Sequence, residues 1–164
     1  MNDMLSVVDD GHLRRAFACF PTGVTAICAL VDGQPVGMAA SSFTSVSLEP
    51  PLVSICMQNS SNTWRKLASV LRLGVSYLSV GQEFCSRQLA ARTGDRFSGI
   101  DWQASTSGAV FIGGASVWLE CSINQRIAAG DHEIVLLQIE TLRIQPDVSP
   151  LVFHSSRYRQ LAGL

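Results

Sequence analysis

Two long runs rich in β-branched and apolar residues, at 117–127 and 133–144, constrain the fold of this sequence more than any other feature. Only AAGDH separates them, so they predict an antiparallel pair of long strands. A hairpin is predicted at 22–40 around the turn Asp32-Gly33, and shorter apolar runs predict strands at 52–57, 73–80 and 151–153. Strands with short turns predict a mainly β protein, an antiparallel barrel with a few peripheral helices.

Three segments have helical spacing of their apolar residues. The first, at 9–20, carries Leu13, Phe17 and Phe20 on one face and ends at Pro21. The other two begin at Trp64, with Leu71 on the apolar face, and cover 81–92, with Phe84 and Leu89 on that face. The segment 93–102 is predicted to be a loop and residues 1–8 to be flexible, and residues 1–164 form a single domain.

Composition limits where the protein works and what it binds. Five cysteines without a CxxC pair predict buried thiols in a reducing cytoplasm, not a metal site or a disulfide framework. A net charge of −1 without a basic tract argues against a nucleic-acid partner, and no run of eighteen apolar residues predicts a membrane segment. Charged residues make up 15% of the chain, against about 25% in a typical domain, which predicts apolar surface buried in a homodimer.

The segment GMAASSFTSVSLEPP at 37–51 concentrates hydroxyl and small residues in an otherwise apolar sequence. Its small residues let a flat ring approach the main chain, and its hydroxyls suit a polar ligand that carries a phosphate. The alternative is a loop whose hydroxyls satisfy only their own backbone. The hydroxyl residues are Ser41, Ser42, Thr44, Ser45 and Ser47.

A predicted strand leads directly into a predicted helix at residues 52–64. The free N–H groups of the helix start, with Ser61, Asn62 and Thr63 beside them, predict an anion site. Simple N-capping by Ser61 or Asn62 is the alternative. Since the serine-rich segment flanks the same strand, the two segments together favour one phosphate site.

The turn AGDH at 129–132 places His132 at the rim of the predicted barrel. An imidazole there can donate a hydrogen bond to a ligand, although a lone histidine is more often structural or solvated. The sequence has no GxSxG, HExxH, GxGxxG or P-loop pattern and predicts no metal site. A bound organic cofactor is therefore expected to carry any chemistry.

Six blocks of the sequence carry a family pattern when they are taken together. They are FPTGVTAI at 20–27, VGMAASSFTSVSLEPPLVSICM at 36–57, SSNTW at 60–64, GDRFSGIDW at 94–102, AGDHEIVLLQI at 129–139 and SRYRQL at 156–161. In this order they resemble the flavin reductase family, short NAD(P)H:flavin oxidoreductases that supply reduced flavin to two-component monooxygenases. The resemblance implies an FMN-binding split β-barrel, usually a homodimer, with flavin near the subunit interface.

The resemblance also implies an activity. A hydride would pass from NADH or NADPH to FMN or FAD, and reduced flavin would reach a partner monooxygenase by diffusion. One rival is a split-barrel flavoprotein that keeps FMN as a prosthetic group for another redox or biosynthetic reaction. A second is a non-enzymatic dimeric β-barrel binding module. The sequence does not distinguish FMN from FAD or NADH from NADPH.

Site residues follow from the resemblance position by position. The isoalloxazine ring would lie along Met38, Ala39, Ala40, Ser41 and Ser42, and the ribityl chain along Ser45, Val46 and Ser47. The ribityl phosphate would be held by Cys56, Met57, Gln58, Ser61, Asn62 and Thr63. His132 would act catalytically by positioning NAD(P)H, in a region closed by Arg157 and Tyr158 and bordered by Asp95, Arg96 and Phe97.

One stretch departs from the family pattern. Family members often have Thr after the Gly-Met pair and Asn one or two places later, whereas this chain has Ala39, Ala40 and Ser41. Fewer side-chain donors are therefore expected to face the flavin. The departure bears on flavin preference and tightness of binding.

Overall fold

The computed structural model describes residues 4, 7 and 9–162, and within them it has three helices and twelve strands. The helices are α1 (Asp10–Ala18), α2 (Asn62–Leu67) and α3 (Glu83–Leu89). The first six strands are β1 (Thr22–Gly23), β2 (Thr25–Val31), β3 (Gln34–Ala40), β4 (Thr44–Ser47), β5 (Leu52–Gln58) and β6 (Leu73–Tyr77). The others are β7 (Trp102–Ala104), β8 (Val110–Ile112), β9 (Val117–Ala129), β10 (His132–Ile144), β11 (Val152–His154) and β12 (Arg157–Arg159).

Seven strands form one antiparallel sheet in the order β3-β2-β6-β9-β10-β5-β4. The two long strands pair as predicted, with His132 opposite Ala129 at the turn. Asp32 and Gly33 both have positive φ, 51° and 75°, as a tight two-residue hairpin between β2 and β3 requires. Within the described residues the sheet ends at β3 and β4, which fits a split barrel better than a fully closed one.

The core consists of two apolar clusters, one on each side of β2. The first contains Ile27, Ile55 and Trp64, and the second contains Cys28 and Val110 among others. Because side chains alternate along a strand, β2 is buried on both faces, which explains its continuous apolar sequence. The second cluster forms where α3 and the short β7–β8 pair cover the outside of the sheet.

Four strands lie in segments that the sequence did not mark as strands. They are β4 in the serine-rich segment, β7 at the end of the predicted loop 93–102, β8, and β12 next to the chain end. Each has three or four residues, too short for an alternating pattern to be recognised. The flexibility predicted for residues 1–8 lies, apart from residues 4 and 7, outside the described residues.

The helices are shorter than predicted, and several of their apolar side chains point outward. Helix α1 has no buried residue, and Phe17 and Phe20 are 73% and 74% exposed. Helix α2 ends at Leu67, so Leu71 lies beyond it and is exposed. In α3, Leu89 is buried as predicted, but Phe84 is exposed. Helical spacing therefore gave the correct buried face within α2, where Trp64 and Leu67 are buried, and only part of the buried face of α3.

The prediction that all five cysteines are buried is wrong. Cys28 and Cys121 are buried, and burial raises the pKa of each thiol to about 12. Cys19 and Cys56 are exposed, and Cys85 is half-buried. Cys56 faces outward because β5 alternates, with Ile55 and Met57 occupying the buried face. All five thiols are free.

No helix in the described part of the chain combines the length and apolar character that crossing a membrane requires.

Candidate active site

Strand β3 lies between the first core cluster and the candidate site. Val36, Met38 and Ala40 pack against the first core cluster. Gly37 and Ala39 alternate with them and face the second cluster, beside Cys28 and Phe97. Two cavities open on this side of the sheet, one at each end of β3.

The cavity at the first end, here the Arg96 cavity, has a volume of about 300 Å³. Gly37 forms part of its wall, α2 contributes Asn62, Thr63 and Lys66, and the loop after α3 contributes Asp95, Arg96 and Phe97. Asn62 and Thr63 were predicted to hold the flavin phosphate, whereas Asp95, Arg96 and Phe97 were predicted to border the NAD(P)H region. The structure brings these two groups of residues together in one cavity. Lys66 and Gly37 were not predicted.

Arg96 links the loop to both other walls of the cavity. Its Nη1 donates to the Gly37 carbonyl oxygen at 3.0 Å and to Thr63 Oγ1 at 2.9 Å. The loop itself is turned by Asp95, whose Oδ1 accepts from the Phe97 N–H at 2.9 Å. One guanidinium nitrogen therefore makes both contacts, and the rest of its planar fork remains available to an anion.

The close approach of this loop requires glycine at position 37. A Cβ there would collide with Cys28 Sγ and would come within 2.9 Å of Phe97 Cζ. Phe97 is 8% exposed and belongs to the second core cluster, so it has little room to move. The absence of a side chain at Gly37 is thus what lets Arg96 reach the backbone of β3.

The start of α2 agrees in part with simple capping. Ser61 Oγ accepts from the Trp64 N–H at 3.1 Å and is the N-cap. Asn62 Oδ1 accepts from Arg65 Nη1 at 3.3 Å, while Thr63 is held by Arg96. The cation of Arg96, more than the six-residue helix, therefore makes this place suitable for a phosphate.

The second cavity, here the Tyr158 cavity, has a volume of about 110 Å³ and lies at the other end of β3. Ala39, Ala40 and Ser41 line it together with Ser86 and Tyr158. The Ser86 and Tyr158 hydroxyl oxygens are 2.8 Å apart, and the Arg87 guanidinium lies 5.0 Å from the Tyr158 ring centre. Small residues on one wall and an aromatic ring on the other suit a flat ligand.

Other predicted residues have structural contacts of their own. Ser42 Oγ donates to the Cys56 carbonyl at 3.1 Å and accepts from the Cys56 N–H at 2.9 Å, which fixes the loop after β3 to β5. Met57 as a whole residue is 1% exposed and lies in the first core cluster, so its side chain does not face a ligand. The strand β4 contains Ser45, Val46 and Ser47 and forms the sheet edge beside β5.

His132 begins β10, opposite Gln58 of β5. Its Nδ1 lies 2.7 Å from Asp131 Oδ1, and this hydrogen bond lowers the pKa of the Asp131 carboxyl. The imidazole is 42% exposed and lines neither the Arg96 cavity nor the Tyr158 cavity. Arg157 is exposed at the start of β12, opposite His154. The structure therefore does not bring His132 and Tyr158 together in either cavity of a single chain.

Glu133 was not predicted, although it connects the start of β10 to α2. Its Oε1 accepts from Trp64 Nε1, and Arg126 donates to both carboxylate oxygens, at 2.8 and 2.9 Å. The hydrogen bond from Arg126 first, and that from Trp64 next, hold the pKa of Glu133 below its usual range. The buried end of α2 is thus tied to the long hairpin, which orients the outer face of α2 at the Arg96 cavity.

A spacing signal in the sequence points to Lys66. Asn62, Thr63 and Lys66 are related by the i, i+3 and i, i+4 spacings, so a helix beginning at 62 places them on one face. Gly37 has no comparable signal, because its role depends on a loop sixty positions later in the chain.

An antiparallel split barrel with a cationic cavity and a small-residue cavity along one strand is the arrangement that the resemblance to the flavin reductases implies. Comparison with known proteins agrees, since residues 17–162 match the flavin reductase like domain. The chain belongs to this family. The resemblance and the split-barrel fold expected from the sequence are therefore confirmed.

Individual relatives are similar over most of the chain. A flavin reductase of Pseudomonas putida is 35% identical over 97% of this chain and 94% of its own. The solved structure of the NADH:FAD oxidoreductase of Streptomyces globisporus C-1027, in complex with NAD and FAD fragments, superposes with a TM-score of 0.93. It is 38% identical, and the match covers 98% of both chains. The reductase subunit of a flavin-dependent monooxygenase from Mycobacterium tuberculosis is 34% identical over 94% of this chain and 84% of its own.

Proposed function

We propose that this protein is an NAD(P)H:flavin oxidoreductase that reduces FAD or FMN and supplies the reduced flavin to a partner monooxygenase. The observation that carries the proposal is the pair of cavities along β3, one lined by Arg96 and Lys66 and the other by Ala39, Ser41 and Tyr158. The relatives include an NADH:FAD oxidoreductase and a monooxygenase reductase subunit, which supports the same activity.

The donor set along β3 fits a flavin nucleotide. The Arg96 cavity offers cationic and amide donors to a phosphate, and the main chain at Ala39–Ser41 is open to a flat ring. Gly37 and Ser41 are four positions apart, which corresponds to about 13 Å along a strand. This separation is of the order of the distance from a flavin ring to its ribityl phosphate.

The protein's part in the reaction is binding and orientation. When both substrates are bound, the nicotinamide donates a hydride and the flavin accepts it. Arg96 fixes the phosphate end, and the backbone of residues 39–41 fixes the ring against Tyr158. Backbone N–H groups of residues 39–41 that face the ring would stabilise negative charge that develops on it. No residue of the chain needs to form a covalent bond with either substrate.

The test is the decrease in absorbance at 340 nm with purified protein, NADH or NADPH, and added riboflavin, FMN or FAD. Oxidation that depends on free flavin supports the proposal. The rates then rank the two nicotinamide nucleotides and the three flavins as substrates. Flavin binding without nicotinamide oxidation would instead favour a split-barrel flavoprotein with other chemistry.

We assign His132 the positioning of NAD(P)H, as the family resemblance implies. Its exposed imidazole is hydrogen-bonded to Asp131 at the rim of the sheet, so it is free to contact a second substrate without disturbing the core. We expect His132→Ala to raise the KM for NADH or lower kcat by about tenfold, with the KM for flavin unchanged. His154→Ala, at another half-buried histidine, is the matched control. Kinetics of His132→Ala equal to those of the control would remove His132 from the site.

We further propose a homodimer. Phe17 and Phe20 are about three-quarters exposed, helix α1 has no buried residue, and Leu142 and Ile144 on β10 are more than half exposed. Apolar surface of this extent in a chain with few charges favours self-association. We expect light scattering at micromolar concentration to give twice 17.7 kDa. A mass of 17.7 kDa under those conditions would contradict the proposal.

Delivery of reduced flavin by diffusion is the simplest arrangement for a protein that uses flavin as a substrate. Free thiols at Cys19 and Cys56 and the need for NAD(P)H fit a reducing cytoplasm.

A partner oxygenase kept behind a dialysis membrane distinguishes delivery by diffusion from delivery by contact. Product formation across the membrane supports diffusion, and its absence would indicate delivery by contact.

A further inference from the structure

Lys66 is the only lysine of the sequence, and it lies at the mouth of the Arg96 cavity. Its residue is exposed, whereas Arg96 is half-buried and held by Gly37 and Thr63. Within the described residues the Lys66 ammonium has no hydrogen-bond or ion-pair partner. The cavity therefore has two cations of different kinds, one fixed against its wall and one free at its opening.

These two cations face a single carboxylate. Asp95 also lines the cavity, but its Oδ1 already accepts from the Phe97 N–H. Two positive charges against one negative charge leave the cavity with a net positive charge. The fixed guanidinium suits the phosphate nearest to the ribityl chain. A charge farther out along the same ligand would meet Lys66.

We propose that Lys66 determines the preference for FAD over FMN by binding the second phosphate, which FAD has and FMN lacks. The inference rests on the function proposed above and on the ring lying at the Tyr158 cavity. The flavin chain then enters the Arg96 cavity from β3, so the ribityl phosphate reaches Arg96 first. The adenylate half of FAD leaves through the opening, past the outer face of α2 where Lys66 stands at an i+4 position from Asn62.

The kinetic test compares riboflavin, FMN and FAD as substrates of the wild-type protein and of Lys66→Met and Lys66→Arg. We expect Lys66→Met to raise the KM for FAD about fivefold, the change typical of losing one partly exposed ion pair, with the KM values for FMN and riboflavin within twofold. Lys66→Arg should restore most of the FAD affinity. Raised ionic strength should weaken FAD binding more in the wild type than in Lys66→Met.

The matched control is Arg15→Met, which removes the same charge from exposed helix α1, outside the Arg96 cavity. Because α1 also belongs to the proposed dimer surface, the mass of this variant is compared with that of the wild type by light scattering. An equal rise of the KM for FMN and FAD in Lys66→Met would overturn the proposal, and so would kinetics equal to those of the control. Failure of the proposed function gives a different result, because the wild-type protein would then oxidise no NADH with any of the three flavins.

A second test uses the single lysine directly and does not depend on turnover. Acetylation of Lys66 by an N-hydroxysuccinimide ester can be followed by mass spectrometry of its peptide, since no other lysine competes. We expect saturating FAD to slow the acetylation of Lys66 at least threefold, and FMN to slow it much less. Equal protection by FMN and FAD, or none by either, would contradict a contact with the second phosphate.

Discussion

Replacing Arg96 by Met should raise the KM for FMN and for FAD at least tenfold, while the KM for riboflavin changes less than threefold. Hydrogen bonds to a charged group contribute about 1.5–3 kcal/mol, and 1.4 kcal/mol corresponds to a factor of ten. Arg96 also connects Gly37 on β3 with Thr63 on α2, so its loss removes the shape of the cavity together with the charge. Initial rates at 340 nm with each flavin measure the effect.

Arg96→Lys is the control that separates charge from shape. Lysine keeps the positive charge but lacks the planar fork that contacts two walls of the cavity and an anion together. We expect Arg96→Lys to recover only part of the affinity for FMN. If riboflavin loses as much affinity as FMN in Arg96→Met, then Arg96 does not bind the phosphate. Lys66→Met differs from both variants, because it should affect FAD alone.

The longer strands were predictable because short stretches of sequence contain the residue types and turns that favour them. The pair at β9 and β10 and the hairpin of β2 and β3 follow from β-branched runs and the turn Asp32-Gly33. Strand β8 was missed because its three residues, Val110–Ile112, become a strand only by pairing with the equally short β7, over β2 and β6. No property of those three residues alone distinguishes them from a buried loop.

The face that each residue of a predicted strand occupies can be predicted from alternation along the sequence. Alternation along β5 puts Val53, Ile55 and Met57 on the inside, so Cys56 had to face outward. The same alternation shows that the side chain of Met57 is unavailable to a ligand. The expectation of five buried thiols failed because it judged each cysteine by its apolar neighbours and not by the face it occupies.

The start of α2 could be predicted from local sequence, whereas the position of Arg96 beside it could not. Asn62 and Thr63 follow from the strand–helix junction, because donors at a helix start are a local feature. The contact of Thr63 with Arg96, more than thirty positions later, depends on how the loop after α3 packs, and this packing requires the bare backbone of Gly37. Only the resemblance to the flavin reductases brought Arg96 into the prediction. The exposed face of α1 was missed for a related reason, since helical spacing does not say whether a neighbour covers that face.

The same dependence on a bare backbone applies at Gly74, where main-chain atoms occupy the space that a Cβ would need. Gly74 lies in β6 between Cys28 of β2 and Glu120 of β9. A Cβ at this position would lie 2.7 Å from the carbonyl carbon and 2.9 Å from the nitrogen of Val110, and would collide with the Val110 carbonyl oxygen. The obstacle is main chain, which a rotamer change cannot remove. We expect Gly74→Ala to lower the free energy of unfolding by about 3 kcal/mol.

Urea unfolding at a fixed protein concentration measures this loss, and Gly23→Ala is the control because nothing lies within 4 Å of a Cβ at Gly23. The control should stay within about 0.5 kcal/mol of the wild type. Equal effects of the two variants would show that β8 can move away from β6. Such movement is opposed by the hydrogen bond from the Ile112 N–H to Ser76 Oγ, at 3.0 Å.

The consequence of Gly74→Ala should extend to the active site. Val110 belongs to the same core cluster as Phe97 and packs on the side of the sheet that Ala39 faces. If β8 is pushed outward, Phe97 loses a neighbour, and the loop that carries Arg96 loses part of its support. We therefore expect the folded fraction of Gly74→Ala to bind FMN more weakly than the wild type, whereas Gly23→Ala binds it normally. Unchanged FMN affinity in the folded Gly74→Ala protein would mean that the loop is held by Gly37 and Thr63 alone.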